Sequence, residues 1–230
     1  MMGREGSIPT SIQLSDTFIE TTNEINVLGI NLDSKLNFNS YVKKICSRAS
    51  LQINALRRVG KYLDTDGRLR IYKSFIRANF SYNPVTWIFC GKANSEKLEK
   101  LQERALRFVY SDNITPYSKL LTKANLLSLS LFRLRFLAIE VYKCVTKANP
   151  QFMRDMFSER KLHYNLRNSN LLAQHRFKTK KYGFKSFRYY GAKLWNALPP
   201  ELKEIDKLHI FKQRLTVWCS SSEAATFDIH

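Results

Sequence analysis

Apolar residues return every three or four positions along most of this chain, and that period predicts helices from about residue 39 onward. Val42, Ile45, Ala49, Ile53 and Leu56 form one stripe. Asn39 or Ser40 can cap its start, and Gly60 to Leu63 stop it. Leu69, Tyr72, Ile76 and Phe80 form the next, capped by Thr65 or Asp66 and ended or kinked at Pro84. Leu98, Leu101, Ala105, Phe108 and Val109 form a third, opening at Asn94 or Ser95. Pro116–Ala124 reads as a short helix. A long helix capped by Ser130 turns Leu134, Leu137, Val141 and Val145 inward and breaks at Asn149-Pro150. Leu208, Phe211, Leu215 and Trp218 mark a last helix, followed by a frayed tail over Ser220–His230.

Before residue 39 the pattern changes. Ile12, Leu14, Phe18 and Ile19 hint at a weak hairpin. Ile25–Leu32 (INVLGINL) is β-rich and apolar, which predicts a buried strand, with Gly29 allowing close backbone approach and Asp33 and Ser34 turning the chain. The expected fold is mostly α. A short β strand or hairpin segment covers 1–38, a helical bundle 39–125, a helical C-terminal region 126–219 and a flexible tail 220–230. The 44% apolar content supports a real core, and 13% aromatics with only 8 Gly and 6 Pro exclude a disordered chain.

Charge sharpens the picture. The chain carries +19, and residues 160–200 supply ten cations with no Asp or Glu among them. Eight aromatics are interleaved there, including Tyr182, Phe184, Tyr189 and Tyr190. Cations match a phosphate backbone, and aromatics among them can stack on unpaired bases. Arg176, Lys178, Lys180, Lys181, Tyr182, Phe184, Lys185 and Arg188 are therefore candidate nucleic-acid contacts, while Phe187 and Trp195 fall at core spacing. Gly183 and Gly191 are expected as bends. On the second helix Arg70, Lys73 and Arg77 are spaced three and four apart, which puts them on one face. Lys97, Lys100, Arg104 and Arg107 form another stripe, but Glu96–Lys100 and Glu103–Arg107 are favourable i,i+4 pairs, which marks it as a solvated face.

The residues of an enzyme do not assemble. Cys46, Cys90, Cys144 and Cys219 lie far apart, and the four histidines complete no zinc spacing with them. Reduced, mostly buried thiols in a cytosolic or nuclear protein are expected. Asp64-Thr65-Asp66-Gly67 reads as a helix cap rather than a metal loop, and Glu140 as a partner of Lys143. No Gly-rich phosphate loop, signal peptide or membrane-spanning run is present, and no cofactor, metal or small-molecule substrate is expected.

Four segments in order, Val27–Phe38, Leu98–Tyr110, Tyr164–Asn168 and Ser186–Lys203, resemble the C-terminal part of jockey-like reverse transcriptases of non-LTR retrotransposons. The resemblance runs from about Ile25 to Trp218. It implies that Leu28, Gly29 and Asp33 stand at a palm–thumb boundary, that the first three helices correspond to the thumb, and that residues from about Leu126 correspond to the carboxyl-terminal region. In such enzymes an aromatic-x-Asp-Asp catalytic motif precedes the Leu28 strand, and it is absent here. The expectation is a truncated remnant that keeps a template–primer-holding surface for RNA or DNA without the chemistry. A partner chain supplying the catalytic half would be needed for polymerisation. The alternative is a helical interaction protein whose basic faces bind an acidic protein or a membrane surface.

Overall fold

The computed structural model describes residues 11–160, 171–179, 183–225 and 227. Two antiparallel hairpins come first, and among the described residues every strand ends by Asp33. The first pairs β1 (Ser11–Leu14) with β2 (Thr17–Glu20), and all eight of their residues are exposed. The second pairs β3 (Glu24–Val27) with β4 (Ile30–Asp33).

That second hairpin corrects the single buried strand expected over 25–32. Leu28 and Gly29 take φ of 49° and 83°, the left-handed pair of a tight hairpin turn, so the chain reverses there. Gly29 answers to this backbone sign and not to close packing, because a Cβ placed on it would meet nothing within 4 Å. Only β4 reaches the core, through Ile30. Tyr82 Oη donates to the Leu28 carbonyl at 2.6 Å and ties the turn to the helices.

Asp33 then aims the chain into α1 (Asn39–Val59). Its carboxylate accepts from the backbone N–H groups of Lys35, Asn37 and Phe38, at 3.0, 3.0 and 2.7 Å. Burial works to raise its pKa, and these donors outweigh that, so the carboxyl sits below its ordinary value. No side chain caps α1, neither Asn39 nor Ser40: its N-cap residue is Phe38, and Asp33 fixes the turn that leads into the helix.

The predicted stripe of α1 is buried as expected. α2 (Thr65–Ile71) is capped by Asp64, which accepts from Gly67 N at 2.8 Å, one residue before the expected cap. It runs into a π turn, Tyr72–Ile76, and then into α3 (Ala78–Ser81), which ends ahead of Pro84. α4 (Lys92–Tyr110), α5 (Tyr117–Ala124) and α6 (Leu129–Val145) follow. The cap of α6 is Ser128, accepting from Leu131 N, rather than Ser130, and Val145 is exposed rather than inward. After α7 (Gln151–Arg154) come α8 (Phe187–Ala197), α9 (Pro200–Lys203) and α10 (Leu208–Cys219). The tail is not wholly frayed: α11 (Ser222–Ala225) buries Ala224.

Two hydrophobic clusters hold these elements. One is built on α1, the α2–α3 helix, α4 and α5; the other on α6, α8 and α10. α6 belongs to both, since its first residue, Leu129, lies in the first cluster and Leu134 to Tyr142 lie in the second. A buried polar chain fastens it further. Tyr72 Oη donates to Gln102 Oε1 at 2.9 Å, Gln102 Nε2 donates to Tyr117 Oη and to the Leu127 carbonyl at 3.0 Å each, and Tyr117 Oη donates to Glu99 at 2.7 Å. Glu99 in turn accepts from Ser130 N at the start of α6, at 2.8 Å. Gly191 lies inside α8 and is no bend; a Cβ there would come within 2.8 Å of Val141 Cγ2 and Phe157 Cζ. Gly183 likewise marks a close approach, to Phe177.

Candidate functional site

Of the three cations expected on one face of the second helix, two remain there. Arg70 and Lys73 are exposed, and Arg70 forms an ion pair with Asp66 at 2.7 Å. Arg77 departs. The π turn carries one residue more than an α turn, and Arg77 N bonds to the Tyr72 carbonyl five positions back. The three-and-four spacing therefore stops describing a common face at this point. The Arg77 guanidinium lies 4.6 Å from the centre of the Phe132 ring, and its Nε is buried without an acceptor. Burial lowers its pKa.

In the acid-free stretch, Arg176 and Lys178 are exposed and form no ion pair among the described residues. Lys180, Lys181 and Tyr182 lie outside the described residues. Phe184 is exposed and meets Tyr189 edge-on at 4.9 Å. Tyr190 is buried and packs on Phe89, so it offers no stacking face. Tyr189 is half-buried among Phe177, Phe184 and Tyr190. Arg188 turns inward, where Nη2 sits 2.7 Å from His175 Nε2. Trp195 is core, as expected, and Phe187 packs against it only in part.

Lys185 is half-exposed and opens onto a cleft of about 980 Å³. Phe38, Phe89, Phe136 and Phe187 line it from four separate stretches of the chain, and Lys35 shares its lining with Lys185. Sequence reasoning missed Lys35 and Phe136. No periodicity joins residues this far apart, and the turn that carries Lys35 depends on left-handed backbone at Leu36 and Phe38, with φ of 49° and 57°, which leaves no hydrophobic pattern.

The remaining chemistry is quiet. Asp64 caps α2, Glu140 pairs with Lys143 at 2.7 Å, and Asp112 accepts from Ile114 and Thr115 in a turn that lowers its pKa to about 2. The four cysteines are free thiols, three of them buried, and burial pushes Cys219 up to about 12. Among the described residues no three of His, Cys, Asp and Glu gather as metal ligands, and no helix is long and apolar enough to cross a membrane. No protein-family model, no curated protein and no solved structure matches the chain.

Proposed function

We propose that this chain binds an RNA or DNA strand through its phosphates, as a non-catalytic piece related to the C-terminal part of a non-LTR reverse transcriptase. One observation carries the reading. The chain has 38 Lys and Arg, and among the described residues only three ion pairs form, so its positive charge is left available to a partner. The exposed pair Arg176 and Lys178, with Phe184 and Lys185 a few residues on, combines cations with an aromatic edge, which suits a single strand. Nucleotidyl transfer needs paired metal-binding carboxylates, and the motif that supplies them in the resembling enzymes is not in this sequence.

Affinity for a single strand should fall with log salt, with a slope of about 0.7 per phosphate contact. Replacing both Arg176 and Lys178 by Ala should lower that slope by about 1 to 2 units and weaken all sequences alike. An intact double variant with unchanged affinity and slope refutes the assignment of these residues. A chain that binds no polynucleotide at low salt refutes the function.

A further inference from the structure

We propose that the cleft bordered by Lys35 and Lys185 is a nucleotide site, which takes one unpaired base against its phenylalanine rings and that base's phosphate on the two lysines. This deepens the strand-binding reading and rests on it for the source of the base. Lys185 belongs to both, because it lines the cleft and lies in the acid-free stretch next to exposed Phe184.

The cleft encloses about 980 Å³, at the upper end of the range of about 300–1,000 Å³ that small-molecule sites occupy, which is room for a nucleotide and not for a duplex. Phe89, Phe136 and Phe187 line it and are half-buried, so part of each ring stays open. Each ring is braced by another: Phe89 by Tyr190, Phe136 by Phe132 and Phe187 by Phe157, with centroids 5.2, 4.9 and 5.2 Å apart. Rings already held in place lose little freedom when a base stacks on them.

Polar groups narrow the ligand class. Asn37 and Thr86 line the same cleft and are half-buried, yet the Asn37 amide and the Thr86 hydroxyl make no hydrogen bond among the described residues. Neither group is sealed off, so both can meet a ligand. Asn83, exposed on the same lining, adds a second amide without a partner among the described residues. An amide carries a donor and an acceptor side by side, which matches the edge of a base. An alkyl acid would use the rings and the lysines and leave these groups unpaired. A nucleotide uses all three kinds of contact.

Charge suits the phosphate. Lys35 and Lys185 form no ion pair among the described residues. One carboxylate, Glu140, also lines the cleft, and it is taken: Lys143 Nζ donates to its Oε1 at 2.7 Å and Asn149 Nδ2 to its Oε2 at 3.3 Å. The two lysines are thus left to an anion brought in by the ligand, and lysine serves a phosphate as a point charge.

The test measures, by fluorescence anisotropy at one low salt concentration, how the full chain binds a short labelled oligothymidylate and an abasic strand of the same length. Adenosine monophosphate is titrated separately by calorimetry. The two strands carry the same phosphates, so their difference reads the base alone. Wild type should prefer the base-carrying strand about tenfold, the effect of one stacked base. Asn37→Ala and Phe136→Leu should each cut that preference about threefold or more and leave abasic binding unchanged. Tyr62→Leu, an exposed ring outside the cleft, should change neither. If Phe136→Leu does not fold by circular dichroism, Asn37→Ala carries the comparison. Adenosine monophosphate binding that Asn37→Ala weakens extends the site to free nucleotides; a cleft-dependent base preference without it confines the site to a strand. The cleft is overturned, and strand binding left standing, if base preference and adenosine monophosphate binding are each absent or unaltered in the folded cleft variants. Asn37-dependent binding of adenosine monophosphate without any strand bound would uphold the cleft and defeat the strand-binding function. A chain that binds none of the three ligands defeats both.

Discussion

The guanidinium of Arg77 rests on the Phe132 ring, and this contact joins the π turn to α6. Arg77 is therefore a structural cation. Arg77→Ala should lower stability by about 0.5–2 kcal/mol and leave the salt slope of strand binding unchanged. Replacing exposed Arg70 and Lys73 together should leave the melting temperature near wild type. Chemical denaturation and a salt titration on the same preparations decide it; a reduced slope without a stability loss at Arg77 would reverse the assignment.

Gln102 is fully buried and completes three hydrogen bonds that no other side chain can make. Gln102→Leu preserves volume but strands the Tyr72 hydroxyl and the Leu127 carbonyl, at a cost of about 1–3 kcal/mol. Both tyrosines have their pKa pushed up by burial, so neither can recover by ionising. Urea unfolding should show the loss, and a near-neutral variant would mean that the chain of bonds is dispensable.

Asp33 should make stability pH-dependent at the acid end. Its folded pKa is below the ordinary 3.8, so the native state binds fewer protons than the unfolded state in this range. The contribution is full above that value and is lost as pH falls through the folded pKa. Asp33→Asn should cost about 1 kcal/mol at neutral pH, because the three backbone N–H groups of the turn lose a charged acceptor, and its curve should converge on wild type in acid. A constant gap down to the acid limit would show that the charge is irrelevant.

Gly191 should tolerate nothing larger. Gly191→Ala puts a methyl against Val141 and Phe157, and separating α8 from α6 to admit it should cost about 1–3 kcal/mol. A helix propensity gain of about 1 kcal/mol works the other way. A more stable alanine variant in thermal melts would show that the helices yield easily.

Much of the helical core was legible because burial imposes a period. The stripe of α1 is buried residue for residue, and Tyr72, Ile76 and Phe80 are inward. Caps were less legible, since several residues near a helix start can accept the same bond; Asp64 and Ser128 won, and α1 takes no side-chain cap at all. The sign of φ at Leu28 carries no hydrophobic signature, so a hairpin read as one strand. On the surface, spacing placed Arg70 and Lys73 correctly and lost Arg77 at a π turn, which periodicity cannot foresee. The α4 stripe looked self-neutralised because i,i+4 spacing permits a pair without requiring one; Lys100 stayed free while Arg107 closed on Glu103.

The first hairpin has a colloidal consequence. Ile12, Leu14, Phe18 and Ile19 stand half or more exposed on a two-stranded ribbon with open edges, a template for pairing with a second copy. At low ionic strength the charge of +19 holds copies apart. Screening shortens that repulsion to about 10 Å near 0.1 M salt, within reach of edge-to-edge association. The salt that releases a polyanion from this protein is thus the same salt that lets its ribbons meet. The chain should be most soluble where it grips its ligand hardest, and a bound strand, by cancelling charge, should bring the onset of clustering to lower salt.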